Sequence, residues 1–148
     1  MGLSFTGVAQ SRIEVGSVNY CSDGDTKESF EDFTSQFNRE EKLFGSTNTT
    51  FATAYAGKYS IIHYSNRPLS SGGVYYLAVH APDLDAGTLY LLDKEGEVLD
   101  KSSSVESAGV YDYIAIKVKK GTSGPFYVAL KSNSGTQCVG YGQFGRGK

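Results

Sequence analysis

The stretch Thr88-Leu89-Tyr90-Leu91-Leu92-Asp93-Lys94-Glu95-Gly96-Glu97-Val98-Leu99 decides the fold class. Thr88 to Leu92 and Glu97 to Leu99 favour extended backbone. Between them, Asp93-Lys94-Glu95-Gly96 is a four-residue turn with glycine where a positive φ is needed. The pattern predicts a β-hairpin.

The same grammar repeats outward from this hairpin. Upstream, Thr49 to Tyr55 and Lys58 to Tyr64 flank Ala56-Gly57, two polar turn segments follow, and Val74 to Ala81 runs until Pro82. Downstream, the serine-rich segment Ser102 to Ser107 reads as a loop before a strand over Val110 to Val118. Glycine-containing turns then lead into Phe126 to Leu130 and Gln137 to Tyr141. Ile13, Val15, Val18 and Tyr20 predict one more strand, over Arg12 to Tyr20, with a bulge at Gly16. About eight to ten short strands at this spacing predict an all-β protein, an antiparallel β-sandwich of jelly-roll type. At 148 residues the chain fits one domain, 1–148, with a single core.

Thr26 to Phe44 supports two readings. Phe30, Phe33, Phe37 and Phe44 fall near helical spacing, with Asp25 as N-cap, Glu28 at the third helical position and Gly45 at the C-terminal end. Ser29, Thr34, Ser35 and Asn38 are poor helix formers and argue for strand and loop instead.

Composition bounds the function. Fourteen basic and sixteen acidic residues give a net charge of −2, the wrong sign for holding nucleic acid through phosphate contacts. Lys117, Lys119 and Lys120 interleave with Ile114, Ile116 and Val118, which places the lysines on the solvent side of a strand. No apolar run approaches the ~18 residues of a membrane span. Met1 to Thr6 carries neither a basic nor an apolar signal region, so the expectation is a product of the cytoplasm, or one whose signal has been removed. Gly2 and Thr6 also fit the loose pattern for N-myristoylation, without the second anchoring signal that stable attachment needs.

Cys21 and Cys138 have no Cys or His at metal-ligand spacing. They form a disulfide if the terminal segments pair in an oxidising compartment, and are two small buried hydrophobes in a reducing one. Gly140-Tyr141-Gly142-Gln143-Phe144-Gly145 matches G-x-G-x-x-G, but no helix follows to bind a pyrophosphate, so it reads as a last strand with a loose glycine tail. His63 and His80 lie in strands with no nucleophile elbow beside them. The acid pairs Asp23/Asp25 and Asp83/Asp85 read as turn chemistry. Asn48-Thr49-Thr50 is an N-glycosylation acceptor if the chain is secreted. Eleven tyrosines and no tryptophan give the last functional signal. Tyr55, Tyr59, Tyr64, Tyr75, Tyr111 and Tyr113 are candidates to stack on sugar rings from an outward sheet face.

Ser29-Phe30-Glu31-Asp32, Ala56-Gly57-Lys58-Tyr59-Ser60, Pro68-Leu69 and Gly73-Val74-Tyr75-Tyr76-Leu77-Ala78-Val79 resemble, in this order, the jelly-roll carbohydrate-binding modules of the galactose-binding-like type. The resemblance spans Ser29 to Leu130. It implies a strand at Phe30 and a structural calcium held in part by Glu31, although Gly140-Tyr141-Gly142 stands where the family has a late acidic partner. The hairpin around Gly96 also resembles bacterial pre-peptidase C-terminal sandwiches. Without a catalytic motif, the expectation is a non-enzymatic structural protein of a large assembly. The type is a phage virion component (capsid decoration, fibre or tail protein), self-associating as a homo-oligomer, with no cofactor beyond that calcium. The alternative is a secreted or cell-surface module that binds a glycan.

Overall fold

A computed structural model describes residues 12–70, 72–133 and 135–145. The myristoylation and signal-peptide readings fall on residues 1–11, outside this range. Nine strands make two antiparallel sheets: β1 (Phe44–Ala54), β2 (Tyr59–Ser65), β3 (Tyr76–His80), β4 (Gly87–Asp93), β5 (Val98–Ser102), β6 (Val105–Ala108), β7 (Tyr111–Lys117), β8 (Phe126–Ser132) and β9 (Gln137–Gly145). One sheet has the order β1-β9-β3-β7-β6 and the other β2-β8-β4-β5. The chain alternates between the sheets as a jelly roll does, with β6 as an added edge strand.

The core follows from alternation. Leu77, Val79, Ile114, Ile116, Val139 and Tyr141 from one sheet meet Ile62, Leu89, Leu91, Phe126, Val128 and Leu130 from the other, all buried. At roughly 1.5–3 kcal/mol per buried large apolar side chain, this interface is the main driving force of the fold. The predicted hairpin is present as β4 and β5, with Gly96 at φ 88. Lys117, Lys119 and Lys120 are exposed and their apolar neighbours buried, as the alternation requires.

Residues Gly24–Glu41 form a helix, α1, which decides between the two readings of this stretch. Phe30, Phe33 and Phe37 bury against Ala78, Tyr113 and Phe144 on the outer face of the five-stranded sheet. Three buried rings outweigh helix-propensity costs of a few tenths of a kcal/mol per residue. Both ends differ from expectation. The N-cap is Asp23, whose side chain accepts from the Asp25 N–H at 3.1 Å and the Thr26 hydroxyl at 3.2 Å. The C-terminus closes at Lys42 in the left-handed region, so Phe44 leaves the helical face and begins β1, exposed. The strand that the resemblance implied at Phe30 is therefore helical.

Three further expectations are corrected. Residues 12–20 form an irregular strap in place of a strand, whose backbone, among the described residues, meets the sheets at the isolated bridges Arg12↔Glu97 and Tyr20↔Ala52. Its apolar alternation comes from Ile13, Val15 and Val18 lying down on the four-stranded sheet with Ile61, Leu92 and Ala129. Ser102 to Ser107 is not wholly loop, because β6 pairs with β7 through Glu106↔Tyr113 and Ser107↔Asp112; polar residues suit a short edge strand. The glycine-rich end is not loose. β9 continues through Gly145, and a Cβ at Gly140 would stand 2.5 Å from the Phe30 ring, so glycine there lets α1 lie close on the sheet.

Candidate functional site

The two sheets present unlike outer faces, and the four-stranded one collects the exposed aromatics. Register across β2, β8 and β4 places Tyr59, Lys131 and Thr88 in one row, and Ile61, Ala129 and Tyr90 in the next. Tyr64, Tyr127 and Leu92 make the third. Tyr59 and Tyr64 are an odd number of residues apart, so simple alternation would send them to opposite faces. An extra residue in β2 between Ile61 and His63 turns both outward.

Tyr59 meets Tyr90 edge-on at 5.5 Å between ring centres, and Tyr64 lies 4.8 Å from Tyr127. Lys131 Nζ sits 5.0 Å from the centre of the Tyr59 ring, within cation–π range. Burial, and then the neighbouring Tyr59 phenol, raises the pKa of Tyr90 above its ordinary value. Tyr55, Tyr59 and Tyr64 remain 40%, 48% and 45% exposed. Beside them is a groove of 520 Å³ with Tyr55, Lys58, Tyr59 and Ile61 on one wall and the strap, including Glu14 and Asn19, on the other. That volume lies in the range of small-ligand sites, and apolar floor with polar rims is their usual make-up.

The strap is fixed at its ends. Ile13 N–H donates to the Gly96 carbonyl at 2.8 Å, and a Cβ on Gly96 would collide with the Ile13 carbonyl. At the far end the Thr53 N–H donates to the Asn19 carbonyl and the Cys21 N–H to that of Phe51. Cys21 and Cys138 are joined in a disulfide, with their Cα atoms 6.0 Å apart. The bridge spans 117 residues, worth about 4–5 kcal/mol in the chain-entropy model.

The sequence candidates separate into two groups. Tyr59 and Tyr64 share the tyrosine face and Tyr55 lines the groove beside Tyr59, whereas Tyr75 and Tyr111 are half-buried and Tyr113 is buried beside α1. Burial, and next the Glu106 carboxylate, pushes the Tyr113 pKa upward. Sequence reasoning missed Tyr90 and Tyr127. Their signal was present, since each alternates with core residues of its own strand. Glu31 is exposed on α1, and among the described residues no three His, Cys, Asp or Glu side chains gather to hold a metal.

Both histidines are internal. His80 Nε2 lies 2.6 Å from Ser29 Oγ and Nδ1 lies 2.6 Å from the Asp112 carbonyl. Nδ1–H donates to that carbonyl, and the Ser29 hydroxyl donates to Nε2. Phe33 stacks on the ring at 5.1 Å, so this is a docking contact for α1. His63 stacks on Tyr141 at 4.7 Å in the core, near the Thr50 hydroxyl. Burial lowers its pKa to about 4. In the glycosylation motif, Asn48 Nδ2 already donates to Gln143 Oε1 at 2.8 Å.

No protein-family model matches the chain, and no curated protein is significantly similar to it. The class is defined by fold alone: a jelly-roll β-sandwich with one outer face covered by a helix and the other, among the described residues, covered in part by the strap and rich in tyrosine.

Proposed function

We propose that this protein is a non-enzymatic binding module whose open tyrosine face recognises a glycan. The observation that carries the reading is the gathering of Tyr59, Tyr64, Tyr90 and Tyr127 on one sheet face, beside a groove lined by Tyr55 and Tyr59 together with polar Glu14, Asn19 and Lys58. Tyrosine offers a rigid apolar surface to the C–H face of a sugar and a hydroxyl to its polar edge, at little entropic cost. Lys58-Tyr59-Ser60, part of the likeness to galactose-binding-like modules, stands at this face. The disulfide favours an oxidising location, at the cell surface or outside the cell.

Affinity gel electrophoresis with soluble galactan, xylan and β-glucan tests the proposal. Retardation by one of them, weakened about ten-fold in Tyr59→Ala, is the expected result for an aromatic anchor. Unretarded migration in all three overturns the glycan reading.

A subunit of a virion or other large assembly is the second reading. One observation favours it: β6 pairs only with β7, and Val105 and Val110 near this free edge are 37% and 85% exposed. Sedimentation velocity tests it, since a monomer at high concentration removes self-assembly.

A further inference from the structure

We propose that the Cys21–Cys138 disulfide is a redox clamp that holds the strap as one wall of the tyrosine groove, so that reduction opens the site. The effect on ligand rests on the glycan reading above; the effect on the strap does not.

The geometry points to this in three ways. Cys21 stands where the chain leaves the strap for α1, and Cys138 belongs to β9 in the centre of the β1-β9-β3 ladder. The bond thus ties a segment outside the ladders to the start of β9, where Cys138 is paired with Thr53 of β1. Secondly, the strap has few other attachments. Among the described residues, no backbone hydrogen bond joins residues 14–18 to either sheet. The Arg12–Glu97 ion pair, 3.1 Å long, has both side chains more than half exposed and adds little. What remains is the packing of Ile13, Val15 and Val18 and the hydrogen bonds at the two ends. Thirdly, strap residues Ile13 to Ser17 and Asn19 form the wall opposite Tyr55 and Tyr59.

A dithiol is the reductant. One of its thiolates attacks a sulfur of the bridge, forming a mixed disulfide and releasing a cysteine thiolate that takes up a proton. Its second thiolate displaces the other cysteine, which is likewise protonated. Two electrons pass to the protein, and the dithiol leaves as a disulfide. Both cysteines are half-buried, so an approach from solvent exists. The β1–β9 ladder, including Thr53↔Cys138, needs no sulfur bond and keeps its register.

Hydrogen exchange on the folded full chain, with and without dithiothreitol, tests the clamp. In the reduced, folded chain the strap's end bonds, Ile13 and Cys21, are expected to lose about ten-fold or more in protection and to exchange about ten-fold or more faster than the β4 and β8 amides, a local opening below the global one that loss of the bridge also lowers. Cys21→Ser is expected to show the same loosening and no response to dithiothreitol; if it does not fold, reduced wild type still decides. Unchanged strap protection overturns the clamp. Exchange of the strap at the same rate as β4 and β8 in the reduced chain also overturns it, because the strap then opens only with the whole fold. Galactan retention on affinity gels is expected to weaken with the loosening, and retention that persists with a loosened strap overturns the gating. If galactan, xylan and β-glucan all fail to bind, the exchange result stands by itself and only the glycan reading fails.

Discussion

The outer faces of the two sheets answer one physical problem in opposite ways. The five-stranded sheet is covered by α1, which sets Phe30, Phe33 and Phe37 against Phe144 and Tyr113 and leaves that face dry. The four-stranded sheet receives only the strap, whose Ile13, Val15 and Val18 cover part of a surface that otherwise shows tyrosine. An amphipathic helix brings a wide apolar stripe, while an irregular segment brings a few separate side chains. Stability is thus concentrated on one face and accessible surface on the other.

Substitutions can break this contrast, beginning with the largest effect. Phe33→Ala removes a wholly buried ring that touches Phe37, Tyr113, Phe144 and His80, and is expected to cost about 3–5 kcal/mol in urea unfolding. A loss below about 1 kcal/mol would show that the helix is not the stabilising cover.

Acid probes the core between the faces. The folded pKa of His63, about 4, lies below the 6.5 of an unfolded histidine. The unfolded chain takes up its proton first, so this contribution is complete above pH 6.5 and lost as pH falls towards 4. It amounts to roughly 2–3 kcal/mol. Burial also lowers the pKa of His80, against the opposing pull of its bond to the Asp112 carbonyl, and so acts in the same direction. Stability measured on both sides of this window should fall with acid, and His63→Gln should flatten the slope.

Ile13→Ala thins the strap and is expected to cost about 2 kcal/mol, the low end for such a change, because an irregular segment can settle into the space. Equilibrium unfolding checks it, and a loss equal to that of Phe33→Ala would erase the contrast. The smallest effect is expected at Tyr64→Ala, less than about 0.5 kcal/mol in stability, with galactan retention weakened on the same protein. A large loss of stability there would make the tyrosines structural.

Legibility in the sequence followed the reach of each signal. The Gly96 hairpin and the alternation of Ile114, Ile116 and Val118 with lysines are local and were readable. The helix was half readable: the phenylalanine spacing was visible, but its ends were not, because Lys42 adopts a left-handed cap that usually calls for glycine or asparagine. The strap looked like a strand because side chains pressed onto a sheet show the same alternation as side chains within one. For the site, Tyr59 and Tyr64 were found but not their common face, which depends on the extra residue in β2, and Tyr55 was found without its place at the groove. Tyr75, Tyr111 and Tyr113 were grouped with them because composition cannot tell a tyrosine beside a helix from one facing water.

The position of β9 has a consequence for biosynthesis. This strand pairs with β1 and β3, carries Cys138, and supplies the Gly140 surface on which α1 rests, yet it begins at Gln137, long after that helix has ended at Glu41; Thr26 and Cys138 are 112 apart. On a ribosome, α1 emerges long before its seat exists and must wait, with three phenylalanines unprotected, until β9 arrives. A chain halted before Gln137 would lack the docking strand for everything made first, which exposes nascent copies of this sequence to mutual aggregation or to the need for a chaperone.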